Sequence, residues 1–140
     1  MNDVVEALVK QYGPLSKAVE YLGVADGKWL AVGGNDKRVH VRGAGYAGGG
    51  RFTTAEHPDP IYAVAYSPDG KLVASGGAGR PTGIRLWDAD AGERRPMIDS
   101  PQRTIKSLAF SPNGNWIAAG AFDGTARVFD VATRTEVLAL

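Results

Sequence analysis

The chain has 140 residues, 16 basic and 15 acidic, for a net charge of +1, and 44% of the residues are hydrophobic. This composition fits one globular domain, and a near-neutral charge without a Lys/Arg run argues against a nucleic-acid partner. The lack of cysteine excludes disulfides and thiolate metal sites, and no apolar stretch approaches the roughly 18 residues of a membrane span.

The first thirteen residues allow two interpretations. Asp3, followed by Glu6, resembles a helix N-cap, apolar residues then form one face, and a Gly-Pro pair ends the helix. Alternatively, 1–13 provides an outer strand donated to a neighbouring repeat, because residues 7–10 share the register of the last four residues. Both interpretations place the segment over an exposed face. Acidic residues stand where a secretory signal carries positive charge, so we expect a cytoplasmic protein.

A repeat of 43 to 44 residues accounts for the rest of the chain. The run IYAVAYSPDG at 61–70 matches IKSLAFSPNG at 105–114, and a weaker copy, AVEYLGVADG, occupies 18–27. Each copy continues with an apolar run rich in small residues and, after a turn, with a second apolar run. Self-similarity at a fixed period of this length is typical of repeat folds.

Each copy is predicted to form short antiparallel strands. The β-branched and aromatic residues of 61–66 follow no helical stripe and suit a largely buried strand. Pro-Asp-Gly and Pro-Asn-Gly are tight-turn sequences, and Asp123-Gly124 is a hairpin signal. A fourth strand is plausible after each set of three, at 51–57, 94–100 and 135–140. We therefore expect an all-β chain of three four-stranded antiparallel units with bounds 14–57, 58–101 and 102–140.

The repeats resemble the Trp-Asp (WD) repeat β-propellers, whose blades have four strands and a period of about 40–45 residues. The second copy matches best: Leu86-Trp87-Asp88 supplies the Trp-Asp pair, and His57 stands where the family's Gly-His dipeptide ends. The third copy has Phe129 in place of Trp and Pro101 in place of His. The first copy is degenerate.

The resemblance implies a structural role for several of these residues. In this family a His, a strand Ser/Thr, a turn Asp and the Trp often form a hydrogen-bonded tetrad within a blade. His57, Ser75 and Trp87 would be three members in the second copy, whose turn has no Asp. Asp123 fills that turn position in the third copy, which has neither the His nor the Trp.

The number of repeats is too small for a closed ring. Closed propellers typically need about 4–8 blades, and an open wedge of three would expose two apolar faces. The chain is a piece of a longer protein, two or three copies assemble, or another subunit supplies blades; of these we favour self-assembly or a piece of a longer protein.

No motif predicts catalysis, a metal or a cofactor. The glycine-rich run 43–48 matches GxGxxG, but no helix follows it to hold a pyrophosphate. The alternating acids of 88–93 lack a distal Glu and suit a hairpin turn better than a calcium loop. His40 and His57 share no metal-ligand spacing.

The resemblance also implies binding positions. Propellers of this family usually bind peptides or proteins on the narrow face, through residues at the start of the innermost strands and just before the turn Asp. The corresponding residues are Tyr62, Lys106, Phe122 and Asn35, with Arg80 in the enlarged turn of the second copy. We expect a non-catalytic scaffold for protein interactions; the alternatives are a regulatory or sensor module of a larger protein and, for Tyr62 and Phe122, simple packing between blades.

Overall fold

The computed structural model describes residues 21–25, 29–43, 50–54, 57–78 and 82–140, so segment 1–13 lies outside the described residues. Within these ranges the chain forms three four-stranded antiparallel sheets, each with its strands in chain order. The first sheet contains β1 (Tyr21–Ala25), β2 (Trp29–Gly33), β3 (Val39–Gly43) and β4 (Gly50–Thr53). The second contains β5 (Ile61–Tyr66), β6 (Leu72–Gly77), β7 (Gly83–Asp88) and β8 (Arg94–Asp99). The third contains β9 (Ile105–Phe110), β10 (Trp116–Ala121), β11 (Ala126–Asp130) and β12 (Glu136–Ala139).

The predicted all-β architecture of three four-stranded antiparallel units is confirmed for the described residues, in which no ring is closed. None of the described segments forms a helix long and apolar enough to cross a membrane.

The Ser-Pro-Asp/Asn-Gly motif folds the same way in both copies. The Ser67 hydroxyl donates to Asp69 Oδ1 at 2.6 Å, and the Lys71 amide donates to the same oxygen at 3.0 Å. Gly70 then adopts a φ of 71°, a left-handed conformation that glycine reaches without a Cβ penalty. The corresponding turn in the third sheet has Gly114 at a φ of 75°. These turns fix the register between the first two strands of the second and third sheets.

The sheets stack in chain order with their first strands adjacent, β1 beside β5 and β5 beside β9. Two apolar cores fill the spaces between them. The core between the first and second sheets includes Val39, Val41, Ile61, Val73 and Trp87. The core between the second and third sheets includes Ile84, Leu86, Ile105, Ile117 and Phe129.

Glycines of the second strands allow this close stacking. A Cβ added at Gly33 would lie 2.6 Å from Ile61 Cγ2, and one at Gly76 would lie 2.8 Å from Ile105 Cγ2. Gly120 occupies the same place in the third sheet, 44 residues after Gly76, but there an added Cβ would meet Ser107 of its own sheet. On the outward face of the third sheet Gly120 therefore stands where the other two sheets receive an isoleucine, and among the described residues Ser107 of its own sheet lies closest to it.

We predict that Gly76→Ala lowers the free energy of unfolding by about 1–3 kcal/mol, because the new methyl group overpacks against the buried Ile105 side chain. Gly120→Ala is the matched control at dilutions at which the chain is monomeric, since the Ser107 hydroxyl can rotate away from the added methyl group. Urea unfolding of the two variants and the parent measures the difference. Equal losses in both variants would contradict the close-packing role of Gly76.

Candidate partner-binding site

A hydrogen-bonded cluster anchors the start of the second sheet. His57 Nε2 lies 2.9 Å from Ser75 Oγ, and Trp87 Nε1 donates to the same oxygen at 2.8 Å. All three side chains are buried, and the imidazole and indole ring centroids are 5.7 Å apart. The structure thus brings His57, Ser75 and Trp87 together, and their contacts join the segment before β5 to β6 and β7.

His57 is neutral in the folded protein. Burial, followed by the positive charges of Arg85 and Arg94, lowers the pKa of His57 from 6.5 to about 3. A neutral imidazole has one acceptor nitrogen, and the Ser75 hydroxyl hydrogen remains available because Trp87 donates to the Ser75 oxygen. The cluster is therefore a chain of neutral hydrogen bonds without a charge relay.

In the third sheet Gln102 connects the segment before the first strand to the later strands by hydrogen bonds, a role that the sequence comparison did not assign to it. Its buried Nε2 donates to Thr125 O and Thr125 Oγ1, both at 3.0 Å, and to Ala119 O at 3.3 Å. The Thr125 hydroxyl donates to Asp123 Oδ1 at 2.6 Å. Asp123 therefore connects through Thr125 to Gln102, in place of the missing histidine.

Sequence alignment put Pro101 at the histidine position, and this assignment differs from the structure. Pro101 is exposed, whereas the neighbouring Gln102 is buried. Gln102 stands three positions before Ile105, whereas His57 stands four positions before Ile61, so the segment before β9 is one residue shorter. The signal that could have identified Gln102 is a long polar side chain between a proline and the apolar run of β9.

Three of the predicted binding residues meet at the surface. Lys106 Nζ lies 4.0 Å from the ring centroid of Tyr62 and 5.8 Å from that of Phe122. Tyr62 and Lys106 are each the second residue of an innermost strand, β5 and β9, and Phe122 follows β10. Phe122 is 78% exposed, and its amide donates to Thr104 O at 2.9 Å, which fixes the turn beside the start of β9. We call these residues the Tyr62–Lys106–Phe122 cluster.

The cluster presents a cation and an apolar ring side by side. A cation over aromatic faces contributes about 0.5–1 kcal/mol at an exposed site, which limits the positions of the flexible lysine side chain. The ammonium group has donors left for a carboxylate or carbonyl oxygen, and the Phe122 ring offers apolar area. The arrangement can therefore recognise a polar and an apolar group of one peptide.

The other two predicted binding residues lie outside these contacts. Asn35 is exposed in the turn after β2, and the preceding Gly34 carbonyl accepts a hydrogen bond from the Ile61 amide at 3.1 Å. The turn therefore lies at the same edge as Tyr62. Arg80 is outside the described residues. Among the residues that the structure describes, no group of three His, Asp or Glu side chains is arranged to hold a metal ion.

Comparison with known proteins gives one family and several relatives. The family model described as WD domain, G-beta repeat, matches residues 50–88 and 96–130. An uncharacterized WD repeat-containing protein of Synechocystis sp. is 32% identical over 117 residues, which are 83% of this chain and 32% of that protein. The small ribosomal subunit protein RACK1 of Medicago sativa is 38% identical over 62% of this chain and 26% of its own length. A periodic tryptophan protein 2 homolog of Neurospora crassa is 32% identical over 61% of this chain and 10% of its own length. The matches thus span about a third or less of these relatives.

We predict that stability falls on acidification from about pH 6.5 toward pH 4 because of His57. Its folded-state pKa is below its unfolded value, so the unfolded chain binds a proton in this range and the folded chain does not. The slope approaches about 1.4 kcal/mol per pH unit at most. Urea unfolding at several pH values, compared between the parent and His57→Gln, measures it. The same slope in both proteins would exclude His57 as its source.

Proposed function

This chain belongs to the WD domain, G-beta repeat family, and on that premise we propose that it is a non-catalytic scaffold that binds a protein or peptide at the Tyr62–Lys106–Phe122 cluster. The observation that carries the proposal is that the Lys106 ammonium lies 4.0 Å from the Tyr62 ring centroid and 5.8 Å from that of Phe122, a residue that is 78% exposed. Such an exposed aromatic beside a positioned cation is typical of interaction hot spots, in which aromatic residues are enriched.

The position of the cluster also favours binding over packing. It lies where two innermost strands begin, on turns held by backbone hydrogen bonds such as that from the Phe122 amide to Thr104 O. A rigid frame that presents loop side chains suits recognition, because little conformational entropy is lost when the partner binds. Asn35 and Arg80 complete the proposed binding surface.

The relatives support a role within assemblies. Several of them are named as small ribosomal subunit proteins, and this chain matches about a quarter of their length. The proposal includes a cytoplasmic location and units 14–57, 58–101 and 102–140 as blades, with neither nucleic acid nor membrane as partner. A regulatory or sensor module of a larger protein is the second candidate, favoured by the small share of each relative that the chain covers.

We further propose that copies of the chain close a ring through the outward face of the third sheet. Trp116 is 49% exposed and Leu138 48% exposed, and both lie on strands that pair with β11. Gly120 of the same sheet is equivalent in position to Gly33 and Gly76, on each of which an isoleucine of the next sheet packs. The occupant proposed for this face is a second copy of the chain, because its sheets are built from the same repeat. Two copies would give six blades and three copies would give nine. Burial of this apolar area would supply the driving force.

We predict that Phe122→Ala weakens binding of a peptide selected from a random display library on the immobilised parent chain by about tenfold or more. Lys106→Ala should weaken the same peptide, while the melting temperature of both variants stays near that of the parent, because both side chains are exposed. Isothermal titration measures the affinity. Glu93→Ala is the control, because the turn after β7 lies at the opposite end of the second sheet. Unchanged affinity with lost stability in Phe122→Ala would overturn the binding role.

We predict that light scattering after gel filtration gives a dimer or trimer of the 14.7 kDa chain. Ala118→Arg should return it to a monomer, because the exposed Ala118 lies on β10 between Ala109 and Val128 of the outward face, where a charge opposes burial. Ala91→Arg places the same side chain on an exposed turn and should leave the mass unchanged. A monomeric parent across a dilution series would exclude self-assembly, and the missing blades would then come from a longer parent chain or from another subunit.

A further inference from the structure

A cleft of about 490 Å³ opens between the second and third sheets. Its apolar surface comes from Leu72, Leu86 and Val131, and its cationic side chains are Lys71, Arg95 and Arg134. Leu72 pairs with Asp88, and Trp116 pairs with Asp130, so the cleft lies at the strand ends opposite to the Tyr62–Lys106–Phe122 cluster. It is therefore a separate surface from the proposed binding site.

Between the first and second sheets, the corresponding space at this end of the strands, which we call a corner, is filled by a side chain. There Phe52 of β4 packs on Gly92, so closely that a Cβ added at Gly92 would lie within 2.4 Å of the ring. In the strand pairs, Phe52 stands opposite the buried Val41, and Arg95 stands opposite the buried Leu86. Arginine thus replaces the phenylalanine at the second corner, and the apolar seal is absent.

Arg134 occupies, in the hairpin turn of the third sheet, the position that Gly92 has in the second sheet. The Gly92 amide donates to Asp88 O, and the Arg134 amide donates to Asp130 O, both at 2.8 Å, so the two hairpin turns are alike. Gly92 has a φ of 71° and Arg134 a φ of 60°. This left-handed conformation is strained for a residue with a Cβ, and such strain concentrates at functional positions. Glycine would adopt this conformation without strain, yet position 134 has an arginine whose side chain lines the cleft.

The nearby carboxylates are already engaged by the protein itself. Hydrogen bonds from the Ser67 hydroxyl and the Lys71 amide, with a smaller contribution from the positive charge of Lys71, hold the pKa of Asp69 below its ordinary value. The Ala91 amide, Arg95 and the Asp90 amide do the same for the pKa of Asp88. Within the described residues neither Lys71 Nζ nor the Arg134 guanidinium forms a salt bridge, although the Asp90 carboxylate also lines the cleft. Cationic donors therefore remain for a ligand.

We propose that this cleft is a second binding site, for an acidic peptide segment. A Glu or Asp carboxylate of the peptide binds Arg134 and Lys71, and an adjacent apolar side chain covers Leu72 and Val131. The Arg134 guanidinium has no salt bridge within the described residues and gives the charge complementarity, together with the Lys71 ammonium, whose charge also acts on Asp69. The apolar floor selects a peptide side chain over a free anion. The proposal relies on the proposed scaffold role only for the choice of a peptide as the occupant.

The test uses the full chain and a probe peptide, acetyl-Gly-Leu-Glu-Glu-Leu-Gly-amide, with its Gln-Gln counterpart as the neutral control. In a titration of the ¹⁵N-labelled protein, we expect the amide signals of residues 71–72 and 131–134 to shift with the acidic peptide and not with the neutral one. Signals of the cluster around Phe122 should stay in place. An acidic peptide that leaves residues 71–72 and 131–134 unshifted at millimolar concentration overturns the proposal, as does equal binding of the neutral peptide.

Arg134→Gly separates binding from folding. Glycine adopts the left-handed φ without strain, so the melting temperature should be equal to or above that of the parent. Loss of the guanidinium should weaken the acidic peptide by about tenfold or more. Lys106→Ala is the control and should bind the probe like the parent. If Lys106→Ala or Phe122→Ala weakens the probe and Arg134→Gly does not, the peptide occupies the other site and the cleft proposal fails while the proposed function stands.

Discussion

The contact between a glycine of one sheet and an isoleucine of the next determines how closely the sheets of this protein stack. Ile61 lies over Gly33 and Ile105 over Gly76, with too little room for a Cβ at either glycine. This approach lets the first strands run side by side and buries Trp87 and Phe129 in the two cores between sheets. In the part of the chain that the structure describes, no isoleucine of a further sheet packs on Gly120, and the outward face of the third sheet exposes Trp116 and Leu138.

Close stacking at the innermost strands has consequences at both ends of the sheets. At one end, β5 and β9 begin near each other, and Lys106 reaches the Tyr62 ring at 4.0 Å across the gap between sheets. At the other end, the side chains of the outer strands decide whether the space between neighbouring sheets is filled. Phe52 fills it over Gly92 between the first two sheets, whereas Arg95 and Arg134 leave a cleft of about 490 Å³ between the next two. One repeat thus supplies two surfaces of different chemistry.

Much of the fold could be predicted from the sequence because its signals are local. The Ser-Pro-Asp-Gly turn depends on the Ser67 and Asp69 side chains and on a positive φ at Gly70, all within four residues. The period then places the other turns and strands. The pairing of His57, Ser75 and Trp87 was implied by the family resemblance, and the geometry brings these three together. Gln102 was missed, because a one-residue shortening before β9 moved the buried polar side chain out of alignment with His57.

The sequence by itself determined the strands, their turns and the number of repeats, because each depends on residue type and period. The candidate residues Tyr62, Lys106 and Phe122 were implied by the family resemblance. Only the tertiary structure decided that a lysine from one sheet lies on a tyrosine of another, since that contact requires the glycine–isoleucine stacking. It also decided that Arg134 takes the backbone conformation of Gly92 beside an open cleft, because a hairpin conformation and an unfilled corner are properties of packed strands. Residue types are local, whereas the distances between them depend on which faces are buried together.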